Sequence, residues 1–237
     1  MRTHVFFLGI VLCAAPDARA DQLIGLLTLP EVFGREACDK FQPQEVALYA
    51  APFADERIGW IRVDKDTEFH AAGGCTGPEV KVHRVGGGGV SDFPAMEYAY
   101  EKPAAVVLER RDRWFKVRLR DGSGWLRASE RDEFHSLEAL LTDGLLHLTD
   151  NFDGNLREGP GSTRSAGTTR LEIDALAPPP VRTIEFRHVD GQLWVHVEVL
   201  SHSICGSCEP ATVIRRGWLP AHDNAGEPTI WFYSRGC

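Results

Sequence analysis

The residues with most capacity for chemistry are the cysteines. Cys205-Gly206-Ser207-Cys208 sets two thiols at a spacing that redox enzymes and metal sites both use. Redox catalysis needs a helix N-terminus to lower the thiol pKa, but Ile204 on one side and Glu209-Pro210 on the other lie between strand-like segments with no βαβ pattern. A tetrahedral zinc site accepts nitrogen and sulfur ligands, and His202 with Cys205, Cys208 and either His222 or Cys237 could supply them, without a second close pair. The favoured reading is structural, with one of Cys205 and Cys208 bonded to Cys237, and Cys38 bonded to Cys75. Hydrolytic chemistry has less to stand on. A nucleophilic Cys at a strand-to-helix junction or a His-x-x-x-His metal motif is absent, and His70, His83, His135, His147, His188 and His196 are dispersed. The expectation is a non-enzyme without cofactor or bound metal, the alternative being a thiol-redox or zinc-binding envelope factor that uses the Cys205–Cys208 insert.

The compartment follows from the start of the chain. Arg2 leads into an apolar run from Val5 to Ala15 and then to Ala18-Arg19-Ala20, the pattern of a secretory signal peptide cleaved after Ala20. That run is about eleven residues where a membrane-spanning helix needs about 20, so no membrane span is expected in the mature chain. Leu12 stands before Cys13 where a lipidation site wants a small residue, which favours soluble release, periplasmic or secreted. Export also explains the cysteines, because thiols pair in an oxidising space. Five remain after the signal, so at least one is free or bonded elsewhere.

The elements that must position these residues are short. With 23 Gly and 14 Pro the full chain favours many strands joined by turns over long helices. Alternation places strands at Val46–Ala50, Ile58–Val63, Val80–Val85, Ala104–Leu108, Trp114–Arg120 and Gly124–Leu126, with Asp121-Gly122 as a hairpin turn. Ser136–Leu141 is the best helix candidate. Further strands are read at Leu145–Leu148, Leu171–Ile173, Ile184–Val189, Leu193–Leu200, Val213–Leu219 and Thr229–Tyr233, and the segment from Asp21 to Asp39 stays unassigned. Gly86 to Gly89 reads as a mobile loop, since it lacks the strand-to-helix context and the Lys-Ser/Thr of a phosphate cradle. A net charge of −8 with scattered Lys and Arg gives no footprint for nucleic acid.

Several of these segments share an order. Val106-Val107-Leu108, a charged turn, Trp114-x-x-Val117, Asp121-Gly122 and Gly124-Trp125-Leu126 together resemble the second half of a bacterial SH3-like (SH3b) domain. A looser second copy runs from Leu156-Arg157-Glu158-Gly159-Pro160-Gly161-Ser162 through Trp194-x-x-Val197 to Gly217-Trp218-Leu219, with the Cys205–Cys208 segment as an insertion in a hairpin. The resemblance implies a mostly β chain of two small SH3-like β-barrels in tandem, with one short helix and long loop insertions. The expected division is a signal peptide over 1–20, a first domain with an N-terminal extension over 21–142, and a second with the cysteine insertion over 143–237. It further implies a non-catalytic binding or scaffolding module for peptidoglycan or an envelope protein. Tyr49, Trp60 and Trp125 in the first barrel, with Trp218 and Trp231 in the second, are the candidate ligand contacts, because exposed aromatics give large contact area at small entropic cost. The disulfide reading predicts that intact mass rises on reduction and alkylation, with fewer than five thiols reactive beforehand. Five thiols alkylated without reductant would contradict it.

Overall fold

The computed structural model describes residues 21–33, 45–63, 80–142, 144–167, 169–173, 178–203 and 209–235. The five cysteines considered for disulfides, Cys38, Cys75, Cys205, Cys208 and Cys237, lie outside these residues. The chain is mostly β. In order come β1 (Gly25–Leu27), α1 (Pro30–Phe33), β2 (Glu45–Tyr49), β3 (Arg57–Val63), β4 (Val80–Arg84), β5 (Val90–Asp92), β6 (Ala95–Ala99), β7 (Lys102–Arg111), β8 (Trp114–Leu119), β9 (Gly122–Arg127) and β10 (Phe134–Ser136). Then follow α2 (Leu137–Leu140), β11 (Leu146–Leu148), β12 (Pro180–Val189), β13 (Gln192–Leu200), β14 (Val213–Pro220) and β15 (Ile230–Phe232). Among the described residues no helix is long and apolar enough to cross a membrane.

Local chemistry accounts for the turns. Ser136 caps α2 by accepting from the Ala139 N–H at 3.2 Å. Asp190 and Gly191 both take positive φ, 52° and 72°, as the two-residue turn between β12 and β13 requires. The β8–β9 turn falls one residue earlier than Asp121-Gly122, since Leu119 pairs with Gly122. Leu171–Ile173 is not a strand, and the segment from Ala95 to Ala99, unassigned in the sequence, is.

Two sheets result. Part of the first has the order β10-β1-β7-β8-β9, and the whole of the second has β15-β11-β12-β13-β14. The two runs match strand for strand, with the last strand beside the first and the middle strands joined as antiparallel hairpins. Each second strand carries a bulge at the same place, between Val107 and Glu109 and between Thr183 and Glu185. Neither sheet closes into a barrel, contrary to expectation. The first instead extends from β9 through β2, β3, β4 and β5, because Tyr49 of β2 takes the edge of β9 opposite Trp125, and β6 beside β7 brings it to ten strands.

The core explains one feature of the sequence. Ala104 to Leu108 is apolar without alternation, and in β7 all five are buried. Ala105 and Val107 face Leu48, Ile61 and Val117 of the first sheet. Ala104, Val106 and Leu108 join Val195, Val197 and Leu219 of the second. A strand covered on both faces has no polar side to show. Polar contacts close the same junction, with Arg118 and Glu227 3.2 Å apart and Arg235 donating to Glu97 at 2.8 and 3.0 Å. The His222 Nε2 donates to the Leu23 carbonyl at 2.7 Å, while Nδ1 has no partner among the described residues.

Two predictions follow from this packing. A Cβ on Gly217 would stand 2.7 Å from the Leu156 Cβ and 3.0 Å from the Arg157 carbonyl oxygen, whereas on the matching Gly124 it meets only side-chain methyls at 3.3–3.4 Å. Gly217→Ala should therefore destabilise by about 1–3 kcal/mol in denaturant titrations and Gly124→Ala by clearly less, and equal losses would contradict the packing. Burial holds the His222 imidazole below its ordinary pKa, against the opposing pull of the Leu23 carbonyl, Glu227 and Asp223. His147 is lowered by burial as well. A depressed base binds fewer protons folded than unfolded, so stability should fall as pH drops below about 6.5. Urea titrations at pH 7.5 and 5.5 should show a smaller acid loss for His222→Gln than for the native chain, and identical losses would refute the assignment.

Candidate functional site

Alternation of side chains along the strands sorts the first sheet into a core side and an outer side. In β8 the core takes Phe115, Val117 and Leu119, which turns Trp114 and Lys116 outward. By the same parity Trp125 of β9, Ala47 and Tyr49 of β2, Trp60 of β3 and His83 of β4 lie opposite the buried Leu126, Leu48, Ile61 and Val82. Register then lines them up. Glu109, Lys116, Trp125, Tyr49 and Arg57 form one cross-strand row, and Ala47, Trp60 and His83 another. Directly opposed residues share a face, so five strands contribute to one aromatic stripe.

The stripe is tightly packed. Tyr49 meets Trp114 edge-on at 5.1 Å, and Phe53 lies tilted against the same indole at 5.7 Å. Trp60 stacks on His83 at 5.7 Å with 2° between the planes, and its Nε1 has no hydrogen-bond partner among the described residues. The Arg111 guanidinium sits 5.6 Å from the Trp125 ring, and its Nε donates to Glu109 at 2.8 Å. Trp114 and Trp125 are buried beneath these neighbours, whereas Phe53 is 65% exposed. The accessible aromatic surface is therefore Phe53, with half-buried Tyr49 and Trp60 beside it.

The second sheet carries a counterpart. Glu185, His196 and Trp218 make a row across β12, β13 and β14 that matches Glu109, Lys116 and Trp125. Arg187 lies 5.7 Å from the Trp218 ring and donates to Glu185, as Arg111 does to Glu109. His196 stacks on Trp218 at 4.8 Å. In the next row the buried Glu198 carboxylate accepts from Arg182 Nε at 2.9 Å and Arg216 Nε at 2.8 Å, and these guanidinium groups hold its pKa below the usual carboxylate value.

The loops that enter these rows also correspond. Tyr49 bridges to Trp125, and Arg157 bridges to Trp218. The preceding Leu48 and Leu156 are both fully buried, and four residues after the bridge Phe53 and Gly161 both adopt left-handed φ, 62° and 74°. Glycine takes that conformation freely, whereas a phenylalanine there carries strain on the order of 1 kcal/mol.

Of the candidate contacts, Tyr49, Trp60 and Trp125 fall on one face, and Trp218 occupies the matching place in the second sheet. Trp125 and Trp218 are each 6% exposed, so they are not the open platforms expected of them. Trp231 stands apart on β15, tilted against Phe232 at 4.9 Å. Phe53 was not singled out in the sequence, although the parallel between Leu48-Tyr49-Ala50-Ala51-Pro52-Phe53 and Leu156-Arg157-Glu158-Gly159-Pro160-Gly161 marks its position. The histidines considered for zinc are engaged elsewhere. His202 uses Nδ1 with Ser201 and Nε2 with the Glu209 carbonyl, and His222 is buried against Leu23. No family model, no curated protein and no solved structure matches this chain.

Proposed function

We propose that this chain is an exported, non-catalytic binding module built from two SH3-like units, over 21–142 and 143–237, that recognises peptidoglycan or an envelope protein. One observation carries the reading. The Trp-x-x-Val and Gly-Trp-Leu stations fall on the third and fourth strands of both matching runs, β8 and β9 in the first and β13 and β14 in the second. The bridge from the incoming loop to the Gly-Trp strand recurs in both, and it keeps a large side chain beside an indole on the outer face. A rigid sheet presenting aromatic and arginine side chains is suited to binding, since such residues dominate interface energetics.

The test is retention by purified peptidoglycan sacculi. The full mature chain should co-sediment well above a carrier protein of similar charge, and retention should survive chelators and reductants, because neither metal nor thiol turnover is part of the reading. Absence of enrichment would remove the wall ligand.

A further inference from the structure

Phe53 is the most exposed large apolar side chain described, and it is held at a φ of 62° where the matching loop of the second run has Gly161. Glycine would relieve the strain, so folding alone does not account for the ring. Strained residues that also stand in water are characteristic of contact sites. Tyr49 and Trp114 pack against each other beside it, and half-buried Trp60 stands on the neighbouring β3, so an apolar ridge rises from the outer face of the first sheet.

The charges around this ridge are balanced in number and divided in place. On its β3 side the return limb of the Phe53 loop brings Asp55 and Glu56, followed by Arg57, the cross-strand partner of Tyr49. On its β8 side lie Arg127, the cross-strand partner of Trp114, and Asp112 with Arg113 in the turn before that indole. Glu109 and Arg111 bond to each other, and Arg110 turns to the opposite side of the sheet over Phe115 and Phe134. The limb therefore has an excess of one negative charge, the Trp114 flank an excess of one positive charge, and the ridge as a whole is neutral. Asp55, Glu56, Arg113 and Arg127 are exposed, and none forms an ion pair among the described residues.

A ligand of one sign would be repelled by one flank or the other. A surface with the same pattern turned through half a revolution would not. A two-fold axis through the ridge sets the acidic limb of each copy against the basic flank of the other, because an isologous contact repeats every pairing in reverse. Both halves are then complementary, and the two Phe53 rings leave water together.

We propose that the Tyr49–Phe53–Trp114 ridge is a homodimer contact, covered by a second copy of this chain. The second run has Arg157 and Gly161 in place of Tyr49 and Phe53, so it has no such ridge and the pair closes on the first sheets alone. The inference goes beyond the binding reading and does not depend on it.

The experiment is sedimentation velocity on the chain from Asp21 onward, over a concentration series at low and high salt. The mass should rise toward that of a pair with concentration, and pairing should weaken as salt rises. Phe53→Gly should weaken it about tenfold, with an unfolding midpoint unchanged or raised. Two charge-reversed variants, Asp55→Lys/Glu56→Lys and Arg113→Glu/Arg127→Glu, should each stay monomeric. An equal mixture of the two should pair again, because limb and flank then match in both halves of the contact. A native chain that is monomeric throughout would leave the ridge to a different partner and overturn the proposal. So would pairing unchanged in Phe53→Gly, a mixture that stays monomeric, or a pair that persists in denaturant until a reductant is added. Retention by sacculi tests the binding reading separately and bears on none of these outcomes.

Discussion

The two-sided burial of β7 is the constraint on which the rest depends. Its five central residues serve two cores at once, Ala105 and Val107 for the first sheet and Ala104, Val106 and Leu108 for the junction with the second. The short β1 does the same with Leu27 and Leu26. A water-facing position in either strand would leave one core open, and close packing makes such gaps costly. The bulge after Val107 resolves the conflict between covering and display. It shifts the parity of β7, so that beyond it Glu109 and Arg111 share the face of Trp114 and Trp125 instead of turning into the first core with Ala105 and Val107. One end of the strand is structural cement, and the other is part of the outer face.

The two matching runs diverge at the loop that enters them. Strand order, bulge, loop bridge and the Glu-x-Arg pair over the Gly-Trp indole recur in both. The incoming loop does not. In the first unit it carries Tyr49 and Phe53 and runs on into the strands that widen the sheet, whereas in the second it carries Arg157 and Gly161. The second unit's outer face is correspondingly polar, with Glu198 held between two arginines. Such a triad fixes side-chain geometry more than it adds stability, because the charges must first give up hydration.

Much of this was legible in the residues, and the exceptions have physical causes. β3, β8 and β13 were readable because each has one polar and one apolar face, β7 because its apolar run is five residues long, and Asp190-Gly191 and the Ser136 cap carry their own signals. β1 escaped because burial on both faces erases alternation. β5 and β6 escaped because they are short and sit beside the glycine tract. Leu171–Ile173 alternates like a strand yet pairs with no strand among the described residues, where the Leu171 N–H donates to the Gly154 carbonyl. Trp125 and Trp218 look like platforms in sequence, but long arginines and cross-strand rings cover them, and such coverage depends on register that no local pattern encodes. Phe53 carries no signal of its own. The parallel of the two Leu-x-x-x-Pro-x loops marks its position, and the structure adds that it takes the left-handed φ its counterpart meets with glycine.

If β7 joins both cores, the two sheets cannot melt independently. Differential scanning calorimetry of the chain from Asp21 onward tests this most directly. The account predicts one transition whose calorimetric and van't Hoff enthalpies agree, with Val106→Ala lowering that single midpoint. Two resolved transitions, only one of them shifted by Val106→Ala, would contradict it.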